Sequence, residues 1–262
     1  MSVTEREIAF AESERSDSRR GNVLRNIAAI LPFGLWIGLM VAWQHVPEKT
    51  AFKYGAHAYA FRAAAATIAA LAMWRLPQVY GSFSFSRNLR WVPYGLFAGA
   101  LMAFVWMAPE MGFLPDEAAA FYRTWFTGAP GFDPGPYVAE PSPYDPAVCG
   151  VALTYARLAG SAVVIAVAEE IFFRSFLYRW LQGRHFADVP ERRFEFSAFA
   201  LTVFLFAIEH DRWFVGAIAG IVYGLLAIYG GISAAITAHA TTNFIIGWTV
   251  IHSVPFDKWG FW

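Results

Sequence analysis

The chain has 262 residues, of which 57% are hydrophobic and only 15% charged; its mean hydropathy is +0.41 and its formal net charge zero. That balance lies beyond an ordinary soluble domain and reads as a membrane protein. The zero net charge gives no sign of a nucleic-acid partner, and the single Cys149 excludes an intrachain disulfide. The 25 Phe, 11 Trp and 11 Tyr suit lipid-facing helices with aromatic belts at their ends.

Residues 1–22 mix five acids with four arginines and carry no apolar run, so they read as a solvated cytoplasmic tail and not as a cleaved signal peptide. Apolar segments of spanning length follow at 23–46, 57–76, 89–108, 150–182, 195–211, 213–229 and 232–252, against a requirement of about 20 residues per span. The expected fold is all-α: a polytopic transmembrane helical bundle of about seven helices, with six to eight allowed because 195–211 and 213–229 are short. The transmembrane domain covers 23–254. Between the third and fourth segments, residues 109–147 hold eight of the fourteen prolines and read as a semi-extended external loop without a helix.

Basic residues set the orientation. With the N-terminus inside, Arg6, Arg15, Arg19, Arg20, Arg25, Arg75, Arg87, Arg90, Arg179, Arg184, Arg192 and Arg193 are cytoplasmic. The other side keeps Lys49, Lys53, Arg123, Arg212 and Lys258, and twelve against five favours N-in.

The fourth segment carries the chemistry. In "AVAEEIFFRSF", residues 166–176, two adjacent carboxylates and a guanidinium interrupt an oily helix. A charge at bilayer depth costs at least a few kcal/mol, so an intramembrane acid is a functional-site hypothesis by default. Neighbouring positions on a helix lie about 100° apart, so Glu169 and Glu170 are expected to do different work. Glu170 precedes Arg174 by four residues, the favoured orientation for a helical ion pair, and is expected to be neutralised by it. Glu169 keeps no helical partner and is the candidate general base.

Polar residues recur at similar depth. The fifth segment ends in His210, and the seventh carries His239 and Asn243 on one face at i and i+4. Counted from the cytoplasmic ends, Glu169 lies about 20 Å in, His210 about 21 Å and His239 about 12 Å, depths compatible with one cavity. Each has a plainer reading: a lone buried histidine is more often a hydrogen-bonded core residue, Asn243 alone is ordinary helix–helix glue, and the acids with Arg174 alone make a buried ion network. Arg62 and Arg157 read as structural or snorkelling residues. His45, His57, His185 and His252 fall near helix ends or loops and read as interfacial.

Together the motifs say more than any one of them. "EEIFFR" (Glu169 to Arg174), "FAIEH" (Phe206 to His210) and "HATTN" (His239 to Asn243) fit Glu-Glu-x-x-x-Arg, Phe-x-x-x-His and His-x-x-x-Asn in that order. Across the core at 150–250 this resembles the CPBP family of intramembrane proteases, which includes the type II CAAX prenyl endopeptidases. A weaker likeness, through "HAYAFRAAAA", "GLFAGALMAFVWMAPE" and "GFDPGP", is to the bacterial CAAX-protease-related subgroup that accompanies exosortase and PEP-CTERM sorting systems. The resemblance implies that Glu169 and His210 activate water, that Glu170 and Arg174 support them, and that His239 and Asn243 stabilise the oxyanion.

The expectation is therefore an intramembrane glutamic endopeptidase, multi-pass in the inner membrane, without a cofactor, cutting a membrane-associated protein or peptide within the lipid bilayer. Glu169, His210 and His239 also read as three zinc ligands with an open position, although no HExxH pair is present. A proton-coupled transporter is the alternative from a different class, weakened by the lack of a visible repeat between the halves. An immunity or scaffold protein is the third, against which the intact motif set stands.

Overall fold

The computed structural model describes residues 3–75, 89–132, 137–138 and 141–262, with side chains from residue 20 onward. Among them the chain is helical without strands, and its long helices fall on the seven apolar segments. They are α1 (Val3–Trp43), α2 (Glu48–Trp74), α3 (Val92–Met107), α5 (Val151–Gln182), α6 (Phe196–Ile208), α7 (Trp213–Gly230) and α8 (Ile232–His252), with α4 (Asp116–Phe126) between the third and fifth. The architecture is a polytopic helical membrane bundle. Arg87 and residues 133–136 of "GFDPGP" lie outside the described residues.

Among the described residues three helical stretches are long and apolar enough to cross a membrane: Arg20–Trp43 of α1, α5, and α7. Helices α3 and α6 are apolar but have only 16 and 13 residues, so they measure about 24 and 20 Å against a hydrocarbon core of about 30 Å. Length is ample in α2 and α8; Lys49, Lys53 and Arg62 in the one and His239, Asn243 and His252 in the other dilute their apolarity. The outward faces are oily: Phe97 is 72% exposed, and Phe61, Ile68 and Phe204 also stand free, as lipid-facing side chains do.

Residues 109–147 depart from expectation, because α4 and a single turn at Pro146–Cys149 form inside the proline-rich segment. Pro115 precedes the first turn of α4, where Asp116 and Glu117 meet the positive end of the helix dipole, and Arg123 sits in the last turn. Ala118, Ala119 and Ala120 are the best helix formers between them. Proline density outside residues 116–126 had masked a complete set of helix start and stop signals.

Helix α5 runs unbroken but has two stretches of wider, i→i+5 turns, at Gly160–Ile165 and Ile171–Leu177, flanking the acidic pair. Such bulges occur disproportionately at functional sites. Small residues set the spacing of α5's partner. A Cβ on Gly99 would stand 2.4 Å from the carbonyl oxygen of Ala238 and one on Gly95 2.9 Å from that of Ala234, so α3 and α8 touch backbone to backbone. Helix α7 also lies close to α6, with Gly216 beside His210 and Ala207, Gly220 beside Phe206 and Val203, and Gly224 under the Phe199 ring. Gly231, at φ 87°, supplies the left-handed turn that folds α8 back beside α7.

Candidate active site

His239 lies at the middle of the site, 4% exposed on the inner face of α8. The close α3–α8 contact holds its helix, and two rings fix its plane: Tyr223 of α7 stacks on it at 4.9 Å and 20°, and Phe206 of α6 meets it edge-on at 5.9 Å. The Tyr223 hydroxyl donates to Thr242 Oγ1 at 2.7 Å, tying α7 to α8 one turn beyond the imidazole.

Helix α5 brings both acids to that ring. His239 Nδ1 is 2.9 Å from Glu170 Oε1, and Nε2 is 3.7 Å from Glu169 Oε2. The expected separation of the two glutamates is thus only partial. An imidazole carries its nitrogens on opposite edges, so adjacent glutamates about 100° apart on α5 straddle one ring. Glu170 and Arg174 form the expected ion pair, at 3.1 Å, with both side chains buried. Arg174 also donates to the Gly220 carbonyl at 3.4 Å and lies 4.1 Å above the Phe206 ring, so α5, α6 and α7 are joined through one guanidinium.

The Glu170 carboxylate pairs in charge with Arg174 and accepts from His239, which places a proton on His239 Nδ1. Glu169 differs: it is 6% exposed, and its Oε2 has no hydrogen-bond partner. A buried carboxylate oxygen without a partner is costly to maintain and marks a position held for chemistry or for a ligand.

His210 ends α6. Its Nδ1 donates to the Phe206 carbonyl at 2.8 Å; because a carbonyl only accepts, the neutral ring keeps Nε2 as its free acceptor. Trp106 meets this ring edge-on at 5.4 Å. Among the described residues His210 makes no ion pair or hydrogen bond with Glu169, whose Oε2 lies 3.7 Å from His239 Nε2. Asn243 lies one turn from His239, and its Nδ2 donates to the Ser161 carbonyl at 2.9 Å, inside the first wide turn of α5. That bond uses one of its two amide hydrogens.

His210, His239 and Asn243 line one cavity of about 180 Å³, together with Arg157, Trp106 and Trp262. Three of the motif groups thus face one space, while Glu169 and Glu170 stand outside its lining, against the nitrogens of His239, and Arg174 lines a neighbouring cavity. Sequence reasoning missed Tyr223, whose ring sets the imidazole plane; Arg157, read there as structural or snorkelling, lines the same cavity. A tyrosine in the apolar run of α7 has no spacing relation to any motif, and only the tertiary fold brings it to His239. Among the described residues no three His, Cys, Asp or Glu side chains are gathered as a metal-holding group. Glu170 on His239 Nδ1, with Glu169 facing Nε2, is an arrangement that suits a metal-bound and a metal-free imidazole alike.

Residues 151–245, the stretch holding all six of these residues, match the family model described as type II CAAX prenyl endopeptidase Rce1-like. No curated protein and no solved structure matches the chain.

Proposed function

With residues 151–245 matching the Rce1-like family of proteases, we propose that this membrane hydrolase is an intramembrane glutamic endopeptidase whose reaction is carried by Glu169, His210, His239 and Asn243. The observation that carries the reading is the shared cavity: His210, with a free acceptor, His239 and the Asn243 amide line a space of about 180 Å³, and Glu169 reaches His239 from beside it, its Oε2 unpartnered 3.7 Å from Nε2. Liquid water takes about 30 Å³ per molecule, so a water and a peptide carbonyl fit there together.

In this reading Glu169 and His210 Nε2 hold the attacking water and take its proton as the oxygen bonds to the scissile carbonyl carbon. The carbonyl oxygen becomes an oxyanion and accepts from the second Asn243 amide hydrogen, and from His239 Nε2 when that ring carries a proton on both nitrogens. Collapse of the tetrahedral carbon breaks the C–N bond, and the leaving amine recovers the proton. Glu170 and Arg174 touch no reacting atom; they position His239 and hold its charge.

The substrate is a membrane-associated protein or peptide, cut in C-terminal processing or protein sorting. The test is to compare the lengths of membrane proteins in cells carrying the wild-type chain or Glu169→Gln. Uncut precursors that accumulate with Glu169→Gln support the reading, and identical terminal peptides from both strains refute it.

Because every step is assigned to a side chain, activity is expected to survive strong chelation. About one tightly bound zinc per chain, needed for turnover, would overturn that part. The proposed orientation is N-in in the inner membrane. In a Cys149→Ser background, a cysteine at Val138, 75% exposed, should react with an impermeant thiol reagent in intact cells, and one at Asp188 should not. The reverse labelling contradicts the orientation.

A further inference from the structure

Arg157 stands on α5 one turn before Ser161, whose carbonyl Asn243 holds, and lines the cavity that contains His239. Its guanidinium is packed among aromatic rings, with Tyr59 at 4.1 Å, Tyr144 at 5.0 Å and Trp262 at 5.2 Å. Among the described residues no carboxylate pairs with it, and its buried Nε has no hydrogen-bond partner. Asp257, in the turn that carries Trp262, spends its carboxylate on the backbone N–H groups of Phe261 and Trp262, at 2.7 and 3.0 Å.

Those contacts divide the guanidinium by direction. Rings over its face offset part of the desolvation, the Tyr59 hydroxyl interacts with one edge, and the unpartnered Nε leaves an edge of the fork for a carboxylate. The cavity that Arg157 lines is the one in which the peptide bond sits under the proposed function, on which this inference rests. Four residues of helix separate Arg157 from Ser161, about 6 Å, a reach of roughly two residues of extended peptide.

We propose that Arg157 forms a carboxylate-recognition subsite, which selects peptides carrying an acid about two residues beyond the bond to be cut. Two sources share that chemistry, the C-terminal carboxylate of the peptide and an Asp or Glu side chain near its end. Arg62, on the other side of the Tyr59 ring at 5.0 Å, belongs to a separate groove between α1 and α2 and serves as the control.

The experiment titrates the purified full-length chain carrying Glu169→Gln, in detergent, with three fluorescein-labelled apolar heptapeptides of one sequence. The first ends in a free carboxylate, the second in an amide, and the third in an amide with a glutamate two residues from its end. One acid probe should bind about tenfold tighter than the neutral amide, the scale of a hydrogen bond to a charged group, and which one it is names the source. Adding Arg157→Gln should bring the preference to within about twofold, while Arg62→Gln should preserve it. Should Arg157→Gln fail to fold, Arg157→Lys keeps the charge without the fork, and the preference should fall there too.

Equal affinity for all three probes, no binding of either acid, or a preference that survives loss of Arg157 overturns the subsite. So does displacement by a short-chain anionic phospholipid of probes that show no acid preference, which assigns the guanidinium to a lipid phosphate. Offering the same peptides to the Glu169-bearing enzyme separates the two ideas. An acid preference in binding without any hydrolysis keeps the subsite and removes the protease reading. Hydrolysis without an acid preference does the reverse.

Discussion

Around His239, two carboxylates and a guanidinium meet one imidazole; Glu170 alone touches Arg174 at 3.1 Å and the ring at 2.9 Å. Around Tyr59, two guanidiniums, Arg62 and Arg157, flank one phenol ring at 5.0 and 4.1 Å with no acid between them. The first cluster is closed in charge: positive and negative groups offset one another, while Glu169 Oε2, Glu170 Oε2 and the Nε and Nη1 of Arg174 lack hydrogen-bond partners. The second is open, its charge moderated by π faces that leave N–H groups unspent. Buried charge in a bundle of this size is held by pairing where the fold depends on it and left incomplete where something from outside completes it. Under the proposed function, Glu169 Oε2 and Arg157 Nε are the two among these unpartnered atoms that water and substrate would complete.

The largest effect belongs to the incomplete member of the closed cluster. Glu169→Gln keeps the side-chain shape but cannot take a proton, and turnover should fall by at least the 10²–10⁴-fold typical of a general base while the folded fraction is unchanged. Equal cleavage of a confirmed substrate by wild type and Glu169→Gln removes the assignment. Asn243→Ala should follow, with a loss of about 10²–10³-fold in turnover and little change in KM, the scale of one oxyanion donor. Because Asn243 also holds the Ser161 carbonyl, its loss should lower thermal stability slightly. A change in KM alone would make Asn243 helix glue.

The comparison sharpens when charges are removed from each cluster in turn. Glu170→Gln leaves Arg174 without its carboxylate in a site that is 5% exposed, a loss of about 3–5 kcal/mol for a broken buried pair. Arg157→Gln removes a charge that has no ionic partner to orphan and should cost about 0.5–2 kcal/mol of cation–π contact. Chemical or thermal unfolding in one detergent ranks the two. A larger loss for Arg157→Gln would mean that the aromatic cluster, and not the ion pair, carries the bundle.

What could be read in the sequence follows from which forces are local. The long helices sit where the apolar runs are, since a bilayer leaves backbone groups no partner but their own helix. Glu170–Arg174 and His239–Asn243 were legible as one-turn spacings, and motif order pointed to one site. The meeting of Glu169 with His239 instead of His210 was not legible. It depends on the registry of α5 against α8, which the Gly95 and Gly99 contacts and the wide turns of α5 fix through tertiary packing. The helix at Asp116–Phe126 was local and legible, but a proline count taken over the whole segment concealed it.

The smallest effect contrasts both buried clusters with a charge at the surface. Glu195, ahead of α6, accepts from the backbone N–H groups of Ala198 and Ser197 at 2.6 and 3.0 Å. Those bonds favour the ionised form, led by the one from Ala198, and hold its carboxyl below the usual value of 4.5. The folded state thus binds a proton less readily than the unfolded one. The cap is fully effective above the unfolded value and is lost as pH falls through the lower folded one. Hydrogen exchange at Ser197 and Ala198, compared between about pH 6 and pH 3.5, should show protection that weakens on acidification in wild type. Glu195→Gln accepts through an uncharged oxygen, so its protection, weaker at the higher pH, should not change with acid beyond the intrinsic exchange chemistry. If both proteins respond alike, the acid sensitivity of α6 comes from elsewhere and the cap contributes no measurable order at the entrance to the helix that carries His210.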